Sequence, residues 1–205
     1  MPVFLLIRHG ENDYVKKGRM AGRTAGVHLN ESGRFQAQAL ADRLKDAPIK
    51  AIYCSPLERA LETAAPLAQA LSLEIIPRLG LIETDIGEWA GKTVKSLGRL
   101  KVWRAVQATP SRVRFPGGES FQETQFRICQ ELEALSAQHD PKDLIACFSH
   151  ADPIKMAVAY YLGMPLDAFQ RLMVSTCSIT ALMIGEHGCR LLTSNFDPSL
   201  NFSKP

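Results

Sequence analysis

Paired cysteines are missing from this sequence. Its five cysteines, Cys54, Cys129, Cys147, Cys177 and Cys189, are scattered, and none belongs to a CxxC motif. That spacing argues against a metal site of the zinc type, and an odd count without a framework fits reduced thiols in the cytoplasm. No apolar run reaches the roughly 20 residues that a membrane-spanning helix needs. The opening "MPVFLLIRHG" has no basic leader and too short an apolar stretch to read as a signal peptide. No sign of charge dominates: the net charge of +3 is too small to argue for nucleic acid. Internal repeats and low-complexity segments are absent. What these absences leave is an expected cytoplasmic globular protein with neither nucleic acid nor membrane as partner. At 205 residues, 46% hydrophobic and 22% charged, one domain spanning 1–205 is the default, long enough to bury a substantial core.

One absence is local. Residues 91 to 118 hold seven basic side chains, Lys92, Lys95, Arg99, Lys101, Arg104, Arg112 and Arg114, and no acid. A plain solvated helix mixes both signs, so this stretch could attract a substrate with more than one anionic group. Lys16, Lys17, Arg19 and Arg23 could add to the same field.

Short apolar runs alternate with helical patterns along the chain. Val3 to Ile7, "KAIYCS", "LEIIP" and "DLIACFSH" read as strands, the last with almost no polar face and therefore central. "LNESGRFQAQALADRLKD" reads as a helix capped by Asn30 or Ser32, with Phe35, Ala39, Leu40 and Leu44 at helical spacing. Ser55 and Pro56 read as the cap and first residue of a second helix, in which Pro66 should cause a kink. Residues 93–108 and 119–139 suit helices, and "ADPIKMAVAYYLGM" suits another, ended by Gly163. "SITALMIG" and "CRLLTSNF" read as a hairpin joined at "EHG", and the tail after it as loosely ordered. Strands alternating with helices predict an α/β fold, three layers deep, with a mostly parallel central sheet.

In such sheets ligands bind outside the carboxyl ends of the strands. Three strand ends here carry unusual residues. The first gives Arg8, His9 and Gly10. The second gives Ser55 and Pro56, with Arg59 one turn on. The fourth gives Ser149 and His150. Two arginines suit phosphate oxygens, a helix N-terminus suits an anion, and a neutral imidazole beside that anion can attack phosphorus. Glycine at position 10 would let a phosphate approach the backbone.

"LLIRHGE", "YCSPLERALETA", "PGGES" and "CFSHADPIK", in this order, resemble the histidine phosphatase superfamily, the phosphoglycerate mutase-like family. The resemblance covers roughly residues 3 to 195. It implies that His9 becomes phosphorylated, that Arg8, Arg59 and His150 complete the phosphate pocket, and that Glu83 donates the proton. Asp85 and Glu88 are rival acids, and Asp152 could simply cap the next helix. It implies no metal and no cofactor, because arginines supply the positive charge. It also implies that about 84–118 is an insertion covering the active site, with Gly87, Trp89 and Gly91 matching a loop pattern of the family. Three positions depart from the family: Asn12, Val15 and Ala151. Asn12 could take over part of a phosphate contact, and Ala151 sits at the phosphate side of the second histidine.

The favoured function is a phosphomonoesterase of a small phosphorylated metabolite. The alternatives are a phosphoglycerate mutase and a non-catalytic member that binds phosphorylated ligands. In mutases of the family an arginine follows the acid and the cover carries an arginine pair. Here Thr84 follows Glu83, and 91–118 has no Arg-Arg dipeptide. The apolar C-terminal hairpin could be an internal edge or a homodimer contact.

Overall fold

Two strands at the centre of the sheet decide where everything else goes. β1 (Val3–Arg8) and β4 (Leu144–Ser149) pair in parallel from Val3 opposite Leu144 to Arg8 opposite Ser149. Both are apolar on both faces. Phe4, Leu6, Ile145 and Cys147 enter one core and Leu5, Ile7, Ala146 and Phe148 the other. A strand with two buried faces must have helices above and below it. In this computed structural model, which describes residues 1–186 and 188–198, α2 (Glu31–Leu44) and α3 (Glu58–Leu71) cover one face. α6 (Phe121–Ser136) and α7 (Ala151–Tyr161) cover the other.

β2 (Ile49–Cys54) pairs in parallel with β4, and β3 (Ile75–Pro77) in parallel with β2. On the far side of β1, β5 (Ile179–Gly185) runs antiparallel to it and β6 (Gly188–Phe196) antiparallel to β5. The six strands therefore lie in the order β3-β2-β4-β1-β5-β6. This is the mostly parallel three-layer α/β fold that the alternating pattern predicts, with the expected hairpin at its end. Position 187, and the tail from 199 on, lie outside the described residues.

Several boundaries differ from the sequence reading. Asn30, not Ser32, caps α2, its Oδ1 accepting from the Gly33 N–H at 2.9 Å. The buried stripe of α2 is Gly33, Ala37, Leu40 and Ala41, and Phe35 points outward at 72% exposure. Against its small residues α3 can approach closely, so bulk is unnecessary there. α3 starts at Glu58 with Leu57 before it, so Ser55 and Pro56 are neither cap nor first turn; α3 also continues through Pro66. The stretch 93–108 is two helices, α4 (Val94–Leu97) and α5 (Lys101–Ala108), parted at Gly98. Asp152 lies in the first turn of α7, behind His150, and caps nothing.

The exit of β1 is fixed by contact between two glycines. A Cβ on Gly10 would come within 2.7 Å of the Gly33 carbonyl oxygen, and a Cβ on Gly33 would overlap the Glu11 carbonyl. Gly33→Ala should therefore push α2 off this loop and cost about 1–3 kcal/mol, the usual penalty of overpacking. A thermal melt checks this; an unchanged melting temperature would contradict it.

Candidate active site

Because β1 and β4 are neighbours, their ends place two histidines together. The His9 N–H donates to the Ser149 carbonyl at 3.0 Å. The rings of His9 and His150 stand 5.2 Å apart. His9 Nδ1 lies 2.7 Å from the Gly10 carbonyl oxygen, which can only accept. Nδ1 must carry the proton, and Nε2 keeps its lone pair. His150 is the opposite tautomer. Arg59 Nη2, which can only donate, lies 3.3 Å from His150 Nδ1. His150 Nε2 therefore carries the proton and donates to Ser55 Oγ at 2.8 Å. Burial first, then the charges of Arg59 and Arg8, hold His9 well below the usual imidazole range. Burial and Arg59 do the same to His150. Both rings are neutral at pH 7.

Arg59 is 1% exposed. Its Nη2 also donates to the Gly22 carbonyl at 2.7 Å, in the loop that follows β1. Thr63, one turn further along α3, accepts from the Gly10 N–H at 2.9 Å and donates to the Arg59 carbonyl at 2.6 Å. This corrects the reading of Gly10 as a phosphate contact. Its N–H is already taken and its Cα faces Gly33, so glycine is needed for packing. Asn12 is buried; its Oδ1 accepts from the Val15 N–H and caps α1 (Asp13–Lys16). Arg8 Nη1 donates to the Val174 carbonyl at 2.8 Å. Buried polar side-chain atoms normally find partners. Here Arg8 Nε, Asn12 Nδ2 and Arg59 Nε and Nη1 have none, beside only Thr84 Oγ1 and Glu58 Oε2 among the described residues. Arg8 and Arg59 both bear on His9 through their charges, so their unpartnered N–H groups make a set suited to an anion. Ala151 opens α7, whose N-terminus has no side-chain cap, so its dipole and free N–H groups add to that set.

Glu83 supplies a carboxyl. Its Oε2 is 3.8 Å from His150 Nδ1 and its Oε1 accepts from the Thr84 N–H at 2.9 Å. Burial, and then the neighbouring Asp152, push it up to about 7 against the opposing pull of Arg59 and Arg8. Glu83 is therefore substantially protonated near neutral pH. Asp85 turns away, bound to the Gly87 N–H and near Arg23, and Glu88 is exposed. Among the described residues no three His, Cys, Asp or Glu side chains converge as a metal site requires.

Residues 84–118 have a small core of their own. Trp89 stacks with Trp103 at 6.1 Å and meets Phe115 edge-on, and Phe121 and Phe169 carry the cluster down to the main fold. Gly87 adopts φ 49° against the Pro116–Gly118 backbone, where no side chain fits. The segment joins the loop after β1: Gly91 and Lys92 pair with Met20, and Val94 with Gly18. The seven basic side chains are all exposed, and among the described residues only Arg114 has an ion pair, with Glu123. Arg23 is not free to add to their field, being bound to Glu119.

Sequence reasoning named Arg8, His9, Arg59, Glu83 and His150, and the structure brings all five together. It missed the roles of Ser55 and Thr63. Ser55 looks like a cap by spacing, and Thr63 like any buried helix residue; only tertiary contact reveals their partners.

The model of the histidine phosphatase superfamily (branch 1) matches residues 4–197. A phosphoserine phosphatase 1 of Hydrogenobacter thermophilus is 32% identical over 171 residues, 82% of this chain and 80% of the relative. A 2,3-bisphosphoglycerate-dependent phosphoglycerate mutase of Thermoplasma acidophilum is 27% identical, over 89% of this chain and 87% of its own. The crystal structure of a phosphoserine phosphatase from Entamoeba histolytica with 3-phosphoglyceric acid superposes with a TM-score of 0.85, at 28% identity, covering 95% and 97% of the two chains.

Arg59→Met should weaken orthophosphate binding about 10- to 100-fold, the worth of one charge-assisted hydrogen bond. Titration calorimetry with orthophosphate reads this directly; an unchanged affinity would place the anion elsewhere.

Proposed function

This chain belongs to the histidine phosphatase superfamily, and we propose that it is a phosphomonoesterase acting on a small phosphorylated metabolite through a phosphohistidine at His9. One observation carries the reading: a neutral imidazole with its Nε2 free, beside buried arginine donors and a carboxyl raised to about 7. His9 Nε2 attacks phosphorus in line, and the bond from phosphorus to the ester oxygen breaks. Glu83 gives its proton to that leaving oxygen. Water then attacks the phosphohistidine and yields its proton to Glu83, releasing orthophosphate and restoring His9. Arg8, Arg59, Asn12 and the N–H of Ala151 hold the charge on the equatorial oxygens throughout, and His150 joins them once the bound anion lets its Nδ1 take up a proton. A member that only binds would have no use for the acid.

The relatives' names point to a substrate class. Phosphoserine and phosphoglycerate are both three-carbon phosphomonoesters with a carboxylate, and we take that class first. The mutase reading stands second, carried by the Thermoplasma relative. Against it stand Thr84 after the acid and a cover without an arginine pair, because a mutase must grip its dephosphorylated intermediate and exclude water. Five free thiols favour the cytoplasm as the compartment.

The test has two arms. With 3-phosphoglycerate or phosphoserine, with and without 2,3-bisphosphoglycerate, free phosphate should appear and 2-phosphoglycerate should not; interconversion without phosphate release would overturn the hydrolase reading. Glu83→Gln should depress hydrolysis of phenyl phosphate by about two to four orders of magnitude, the worth of a general acid. It should depress 4-nitrophenyl phosphate far less, since nitrophenolate leaves unaided. The same Glu83 sets the basic limb of the pH profile: as pH rises through about 7 the acid loses its proton and the rate on phenyl phosphate falls.

A further inference from the structure

A proton donor must be held still, yet residues 79–85, which carry Glu83, contain only one short helical turn. We propose that Glu119 and Arg127 form a clamp that positions Glu83 for proton transfer, an inference that rests on Glu83 being the acid. Glu119 stands just ahead of Ser120, which caps α6 in a capping box with Glu123, and Arg127 lies further along the same helix. Ile128, Leu132 and Leu135 fix α6 in the main core.

The Glu119 carboxylate is fully occupied. Oε1 accepts from Arg23 Nη2 at 2.6 Å and Arg127 Nε at 3.3 Å. Oε2 accepts from the Asp85 N–H at 3.1 Å, Arg127 Nη2 at 3.1 Å and Thr124 Oγ1 at 3.0 Å. Arg127 Nη1 donates to the carbonyls of Gly80 at 3.0 Å and Ile82 at 2.9 Å. The Glu83 carbonyl itself accepts from Arg23 Nε at 2.8 Å and Arg127 Nη2 at 3.4 Å. One ion cluster thus pins the backbone on both sides of the acid. Ser149 Oγ adds a tie from β4 to the Leu81 carbonyl at 2.7 Å. The Glu119 and Arg127 side chains are each 21% exposed, so solvent screens them less than a surface pair. Neither has a hydrogen bond to His9 or His150. Arg127 uses all three of its nitrogens, a geometry that lysine cannot reproduce.

The cluster also sets charge. Glu83 faces Arg8 from β1, Arg59 from α3, and His150 and Asp152 from the β4–α7 junction. Arg23 and Arg127 stand behind its backbone, and Glu119 offsets them. Removing that negative charge should favour ionised Glu83 and move the basic limb of the kcat profile to lower pH.

The experiment compares Glu119→Gln, Arg127→Lys and Glu83→Gln on phenyl and 4-nitrophenyl phosphate. Both clamp variants should lose roughly 10- to 100-fold in kcat on phenyl phosphate, the size expected for a displaced catalytic group. They should lose several-fold less on 4-nitrophenyl phosphate, with KM little changed, and in Glu119→Gln the basic limb should shift to lower pH. If Glu119→Gln does not fold, Arg127→Lys, which keeps the charge, carries the leaving-group comparison. Equal losses on both substrates while Glu83→Gln stays selective would overturn the clamp alone. A Glu83→Gln enzyme without selectivity would overturn the acid assignment, and the clamp with it.

Discussion

A buried guanidinium with no carboxylate in contact governs this structure. Arg59 is almost fully enclosed, and its hydrogen bonds go to a carbonyl and a neutral imidazole. An uncompensated charge in such a place costs several kcal/mol. The fold retains it, and the consequences spread outward. Burial first, and then its field, keep His9 and His150 unprotonated, so a neutral imidazole stands at the strand end. It leaves N–H donors facing no acceptor, so an anion is favoured at that spot. It also opposes the rise of Glu83, and burial with Asp152 overcomes it, so that the acid titrates near neutrality rather than lower or higher.

The scaffold's part is to hold these groups at one place without letting them neutralise each other. Adjacent parallel strands bring His9 beside His150. α3 brings Arg59 under both, and Thr63 ties that helix to the Gly10 N–H. Glu83 arrives from residues 79–85, and its carboxyl meets no arginine at ion-pair distance. If it did, its carboxyl would be held ionised and could not serve as an acid.

Much of this was legible in the sequence, for a physical reason. A strand buried on both faces must be apolar, so an abrupt Arg-His or Ser-His at its end stands out, and parallel topology puts such ends on one edge. The α/β class, the central place of "DLIACFSH" and the five pocket residues follow from that rule and from the family resemblance. What stayed hidden depends on partners far apart in the chain. Ser55 follows a strand and precedes a helix, so it reads as a cap, while its hydroxyl serves His150, 95 residues later. Gly10 reads as room for phosphate, while the space it leaves is filled by Gly33. Phe35 sits at helical spacing yet faces outward, because small residues let α2 and α3 meet closely. Local pattern carries the period of an element; it does not carry which small residue will meet which.

The central claim is that His9, neutral and with Nε2 free, becomes covalently phosphorylated. The most direct measurement is rapid mixing with 4-nitrophenyl phosphate, quenching without acid, and locating the adduct by mass spectrometry. The account predicts a phosphoryl group on His9 within a turnover and none on His150. A phosphoryl group on His150, or turnover that survives in His9→Ala, would contradict it.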